Sequence, residues 1–557
     1  MAKSQTRVRG RLGERTMAAD LVVASRRVFD GLGDEADPLS FAVEDGHITK
    51  VAHYDQADEL VGPGARVLDL GDAFVCPGFH DAHQHVLHAA LFPSALATEY
   101  RGTSEADCVS HMVEFARTRP ADGWLLGHGW RETFWDSPMS PTRASLDAAF
   151  PDRPVAMYSG DAHTLWVNSA GLRALGIDEG TEPPAGGSFD RDADGRLTGV
   201  LREAAGMLYV GRVLGSFSMG ELRKIYRDYF RRLNAMGVTS VCDMALSLVP
   251  GADGINPQVY EALLQAGELS LRAHLFPTLG DDQSILEGLQ SRWRGPLLRA
   301  PGFKQFFDGV SSQHTAWVSD EYANPRFAGD VGRPTVAPER MRELVLAAAG
   351  RGHAVRIHTI GDEAVHAAVG IFEEARCLFG TPSQGANTLE HIEDIHPEDV
   401  ARLVRAGVVA SVQPPHVTID VDQPARDLGE WRAERMWPFD EFARQGVTMA
   451  FGTDAPVVPP NSLDVLWCAF ERSAPDTHLP TGGWYPRHAV GRAAALRAYS
   501  AGSAAAVGRG RELGAIAPGM LADFVVWDAD LLEVPAEEFQ RARPMATYLG
   551  GRAVWEA

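Results

Sequence analysis

The stretch Val75-Cys76-Pro77-Gly78-Phe79-His80-Asp81-Ala82-His83-Gln84-His85 decides how the rest of this chain is read. An apolar run reaches Pro77-Gly78, turns, and ends in two histidines spaced i, i+2. Side chains alternate along a strand with a period of two, so this spacing aims both imidazoles to one face. Two neutral imidazoles at one strand end can hold a metal ion side by side. A His-x-His pair also arises by chance in a chain with 19 histidines. The metal reading therefore depends on what later strands add.

Upstream, short apolar strands at 21–24, 39–43, 48–51 and 67–70 are separated by turns. Asp45-Gly46 between alternating apolar residues signals a hairpin. The segments 523–528 and 546–555 repeat this style at the far end, so 20–76 and 513–557 are expected to combine into one small β-sandwich. Lys3, Arg7, Arg9, Arg11 and Arg15 mark 1–19 as a disordered basic tail. Between the terminal pieces, over 77–512, apolar strands alternate with helical segments. The strands fall at 75–80, 237–243, 271–276, 303–308, 354–359, 387–392, 408–413 and 447–452. Eight such units predict an α/β fold, a (β/α)8 TIM-like barrel. A barrel needs only about 250 residues. The surplus lies mostly at 86–236, a large insertion after barrel strand 1, where functional loops gather.

The fourth strand carries Lys304, turned opposite to Phe303 and Gln305 by alternation. A buried, unpaired ammonium is costly, so this lysine is either paired, with Asp308 for example, or neutral. A neutral amine can add carbon dioxide and become a carbamate able to bridge two metals. Strands five, six and eight end in His358, His391 and Asp454. Each of these alone reads as an ordinary core or surface residue. Together with His83, His85 and Lys304, they converge on one mouth of the expected barrel.

With those residues in view, the chain resembles the amidohydrolase superfamily of metal-dependent hydrolases, in the branch of YtcJ-like proteins and N-substituted formamide deformylase. The resemblance spans 20–555. It is carried by 77–85, Pro151-Asp152-Arg153-Pro154-Val155, His163-Thr164-Leu165-Trp166-Val167-Asn168-Ser169, Thr198-Gly199-Val200-Leu201-Arg202-Glu203, Phe303-Lys304 with Asp308-Gly309, His358 with Gly361-Asp362, Glu390-His391, and Gly452-Thr453-Asp454-Ala455-Pro456. It implies two divalent metal ions, zinc by similarity. His83, His85 and Asp454 would hold the buried ion, His358 and His391 the more exposed one, and Lys304, N6-carboxylated, would bridge them. Asp454 would move the proton in catalysis. His80 and His88 have the wrong parity or distance to join. His314 stands where related sequences often carry arginine, which makes it a substrate-facing candidate of altered selectivity.

The formal charge of −22 argues against nucleic acid or an anionic membrane as partner. Five scattered cysteines suit a reducing, cytoplasmic setting and form no thiolate metal motif. The expected partner is a small-molecule substrate, with a homodimer implied by resemblance only. In the insertion, His128, Trp130, Asp161 and His163 are candidates to line its pocket, against the plainer reading that the aromatic residues form the insertion's own core. The expected activity is hydrolysis of a non-peptide carbon–nitrogen bond in an N-acyl or N-formyl amide. The alternatives are a carbamate, lactam or ester at the same site, or a metal-free binding or scaffold protein.

Overall fold

The computed structural model describes residues 20–137, 139–160, 164–184, 186–248 and 253–557. The basic segment 1–19, Asp161 and His163 lie outside them.

The opening stretch is two strands, not one. Phe74–Pro77 belongs to the terminal sheet, and Phe79–Gln84 begins the parallel core. Gly78, between them, has no room for a side chain, since a Cβ there would lie 2.3 Å from Thr239 Oγ1. The expected strand at 75–80 is thus split, and the histidines sit one strand later.

Leu21–Val28, Asp37–Glu44, His47–His53, Arg66–Asp69 and Phe74–Pro77 join Phe524–Trp527, Pro544–Leu549 and Arg552–Glu556 in one eight-stranded mixed sheet. The hairpin at Asp45-Gly46 forms as expected, with both residues at positive φ (47° and 77°). Phe41 and Phe524 lie three strand places apart in this sheet, about 14 Å if it were flat. Their ring centroids are 5.2 Å apart, so the sheet folds over and encloses an apolar core.

Phe79–Gln84, Val238–Met244 and Arg272–Phe276 run parallel in one sheet, with the short Leu298–Arg299 at its edge. Gly302–Phe306, Ala354–Thr359, Thr388–His391, Val409–Val412 and Met449–Phe451 run parallel in another. Single bridges, Thr278 to Lys304 and Gln84 to Ala455, join the two sheets at both ends. The eight parallel strands therefore follow one another in cyclic order, consistent with a TIM-like barrel. Helices supply the outer layer. Met219–Asn234, for example, starts at a Ser218/Glu221 capping box and buries Leu222, Ile225, Tyr226, Tyr229, Phe230 and Leu233 along one stripe.

Within 86–236 a six-stranded sheet has its own core, in which Cys108, Met112, Leu125, Trp130, Trp135 and Trp166 pack together. The terminal sheet is locked to the parallel core by a buried two-point ion pair. Arg272 Nε is 2.6 Å from Asp523 Oδ2 and Nη2 is 2.7 Å from Oδ1. Removing one partner strands the other charge. Asp523→Ala is expected to cost about 3–5 kcal/mol, read as a lowered urea-unfolding midpoint, while the apolar pair Arg272→Met with Asp523→Leu should recover most of that loss.

Candidate metal centre

The site begins with a carboxylate that closes the ring of strands. Asp81 Oδ1 accepts from the backbone N–H of His83 (3.3 Å) and of Thr453 (3.1 Å). Its Oδ2 accepts from Thr453 Oγ1 (2.9 Å), Gln84 Nε2 (2.8 Å) and Tyr499 Oη (3.2 Å). The Asp454 N–H then donates to His83 O (2.8 Å), and the His85 N–H to Ala455 O (2.9 Å). The first strand and the segment after the eighth are held in fixed register. That register sets Asp454 against His83 and His85.

The histidines are oriented from behind. His83 Nδ1 is 2.7 Å from Glu390 Oε2, His85 Nδ1 is 2.9 Å from Met244 O, and His391 Nδ1 is 2.8 Å from Gln413 Oε1. Each partner is an acceptor, so each ring carries its proton on Nδ1 and keeps a lone pair on Nε2. Asp454 Oδ1 lies 3.5 Å from Nε2 of His83 and 3.2 Å from Nε2 of His85. That oxygen is buried and receives no hydrogen bond from the described residues. Lone pairs facing a carboxylate oxygen repel, and a cation among them turns the repulsion into coordination. The ligand atoms of His83, His391 and Asp454 all lie within 4.8 Å of one another. This nitrogen and oxygen set fits a zinc-like divalent ion.

The electrostatics agree with that use. Burial, aided by Lys304, brings the His83 imidazole down to about 4, and burial with His358 holds His391 well below its ordinary value. Both stay neutral, as ligation requires. Burial opposes the charge on Asp454, yet His83, His85 and His391 hold its carboxyl well below the usual range. Glu390 is likewise held low against burial, by Arg356 and His83. Arg356 Nε sits 2.5 Å from Glu390 Oε1, and its Nη2 reaches Ser411 Oγ at 3.0 Å.

Lys304 is fully buried, with Nζ 3.5 Å from His83 Nε2. Burial lowers its amine to about 8, against the pull of Glu390 and Asp454, so the neutral form that a carbamate requires is within reach. The alternative partner, Asp308, is already engaged by the backbone N–H groups of Trp317, Ile360 and Gly361 at 2.8–3.0 Å. His358 lies beside His391, with ring centroids 4.4 Å apart. Its Nε2 is turned to Gly309 O at 3.1 Å, which leaves Nδ1 for any ligand role.

The pocket candidates fare differently. Trp130 is fully buried in the insertion's own core, its Nε1 donating to Met157 O at 2.9 Å, and has no face for a ligand. His128 stacks on Phe92 at 4.2 Å, and its Nε2 is buried without a partner among the described residues. His314 is taken up locally, with Nδ1 2.7 Å from Asp330 Oδ2 and its ring stacked on Tyr322 at 4.1 Å. Asp161 and His163 fall outside the described residues.

The sequence reading missed Asp81, Glu390, Arg356, Gln413 and His416. Glu390 and His391 are adjacent, and strand alternation turns neighbours apart. His391 has φ 73°, which breaks the alternation and lets both face inward. Asp454 is also left-handed, at φ 59°. Such backbone costs energy in non-glycine residues and gathers at functional sites. His416, after the seventh strand, reaches the same centre. Its Nδ1 is 3.5 Å from Glu393 Oε1 and its Nε2 is 3.8 Å from Asp454 Oδ2. Burial would lower it, but Glu393 and Asp454 outweigh that and raise it.

The sequence pattern of the amidohydrolase family matches residues 66–555. The chain belongs to the amidohydrolase family. It is 28% identical to the putative amidohydrolase YtcJ of Bacillus subtilis (strain 168), over 92% of this chain and 95% of that one. It is 24% identical to the N-substituted formamide deformylase of Arthrobacter pascens, over 96% of this chain and 98% of that one. Its fold matches an uncharacterized metal-dependent hydrolase from Pyrococcus horikoshii OT3 with a TM-score of 0.75 at 23% identity, covering 93% of this chain and 99% of the other.

The carboxylate behind His83 has a measurable role. Glu390→Gln should weaken zinc affinity by about 10–100-fold, as measured by competition with a chromogenic chelator, and should also lower the unfolding midpoint because buried Arg356 loses its counter-charge.

Proposed function

We propose that this chain is a metal-dependent hydrolase of a non-peptide carbon–nitrogen bond, acting on an N-acyl or N-formyl amide of a small, partly apolar molecule. The observation that carries the reading is Asp454 Oδ1, buried and without a hydrogen bond among the described residues, set 3.5 Å from Nε2 of His83 and 3.2 Å from Nε2 of His85. The substrate class is lent by the Arthrobacter pascens relative, whose name specifies a formamide. In this reading the cyclic parallel strands are a (β/α)8 barrel within 77–512. The pieces 20–76 and 513–557 form a sandwich beside it, and the insertion 86–236 covers the mouth. All five cysteines are free, which suits a reducing, cytoplasmic setting.

His83, His85 and Asp454 would hold one ion and His358 and His391 a second, zinc by resemblance, with N6-carboxylated Lys304 between them. Such ions supply Lewis acidity, polarising a carbonyl and acidifying a water toward neutral pH. The remaining work falls to the chain. Asp454 accepts a proton at a carboxylate oxygen as the carbon–oxygen bond forms, then gives it to the nitrogen as the carbon–nitrogen bond breaks. The products are a carboxylate and an amine. Glu390, Met244 O and Gln413 keep the three imidazoles in the ligating tautomer throughout.

A metal-replete sample incubated with N-formyl and N-acyl aryl amines, lactams, carbamates and esters tests this by mass spectrometry. Amides should be cleaved, and a chelator should abolish the cleavage. Asp454→Asn should lower kcat by about 10²–10⁴-fold. Turnover of esters or carbamates with amides untouched would replace the amide by those substrates. No turnover by metal-loaded protein would favour a binding or scaffold role.

A further inference from the structure

We propose that His416 is an additional metal ligand of this centre, binding on the side of Asp454 opposite to His83 and His85. The inference rests on the metal-dependent reading above and adds a residue to it. His416 sits in the tight turn Pro414–Thr418, directly after the strand Val409–Val412, where Pro414 and Pro415 stiffen the approach. Its side chain is 8% exposed. Two features of His83 recur here, a carboxylate beside Nδ1 and an Nε2 turned toward Asp454. One ring nitrogen, Nδ1, lies beside a carboxylate, Glu393 Oε1 at 3.5 Å, which favours a proton on that side. The other, Nε2, is buried and has no hydrogen-bond partner among the described residues. That bare nitrogen faces Asp454, at 3.8 Å from Oδ2.

The separations suit shared coordination. Two donors each about 2.0–2.2 Å from zinc are about 3.4 Å apart at a tetrahedral angle and about 4.2 Å apart when opposite. The spacings from Asp454 to His85 (3.2 Å), His83 (3.5 Å) and His416 (3.8 Å) are all close to that range. His83 and His85 use Oδ1, whereas His416 uses Oδ2. The carboxylate is thus flanked by imidazoles on both oxygens. His416 also lies parallel to His391, 9° between planes with centroids 6.0 Å apart, on the side of the centre where His358 has turned its Nε2 away to Gly309 O. The geometry places His416 beside His391, at the Asp454 oxygen that His83 and His85 do not use.

The test uses the full chain loaded with cobalt(II) or zinc. His416→Ala should weaken affinity by at least about 10-fold in chelator competition and change the visible absorption of the cobalt form, while the unfolding temperature of the chelator-treated protein stays put. Should that variant fail to fold, Glu393→Gln, which removes the group favouring the Nδ1 proton, should shift affinity and spectrum in the same direction by a smaller amount. Unchanged affinity and spectrum in both variants, even with turnover lost, would overturn the assignment and make His416 a substrate-facing residue. If wild type itself binds neither metal, the inference falls together with the metal-dependent reading, and that outcome is distinct from a selective null result in the variants.

Discussion

The carboxylate of Asp81 is the constraint on which the rest depends. It takes five hydrogen bonds, from the first strand, from Thr453 after the eighth strand and from Tyr499. A buried carboxylate without such donors would be costly. With them it fixes two segments 372 residues apart in sequence. The ring of parallel strands closes at this seam, and the seam is also where the first and last ligand candidates meet. Closing the fold and assembling the centre are one event.

Behind the centre lies a layer whose function is orientation. Arg356 is buried, and its charge is balanced by Glu390, which in turn fixes the proton of His83. A buried ion pair of this kind contributes little net stability by itself, since desolvation offsets attraction. It makes sense as a device that holds one imidazole in one tautomer and one direction. Met244 O and Gln413 do the same for His85 and His391 without charge. The outcome is a set of lone pairs preorganised around Asp454, stable only with a positive charge among them.

The insertion supplies a separate lesson. Trp130 suggested a pocket wall because aromatic residues are common in small-molecule sites, against the plainer reading that the aromatic residues form the insertion's core. Trp130, Trp135 and Trp166 instead pack against one another inside the insertion's sheet. An inserted unit of this size needs its own core, and large apolar side chains serve that first. Nearer the parallel core, His128 is a different case, with a buried nitrogen that no group among the described residues satisfies.

The sequence by itself determined the periodic features. Alternating apolar strands and helices, the Asp45-Gly46 turn, and the ligand-type residues at successive strand ends all depend on neighbours in the chain, so local pattern reveals them. It also grouped His83, His85, Lys304, His358, His391 and Asp454, because parallel strands present their ends at one face. Tertiary structure alone decided the break at Pro77-Gly78, which depends on the nearness of Thr239 across the fold. It alone decided that Lys304 lies against His83 instead of pairing with Asp308, whose oxygens are filled by backbone N–H groups from the 317 and 360 segments. It alone brought Glu390, Gln413 and His416 to the centre, through left-handed backbone at His391 and a tight turn after the seventh strand. Such residues are invisible to pattern reading because a hydrogen bond or a lone pair is defined by direction in space, and sequence spacing carries direction only where the backbone stays regular.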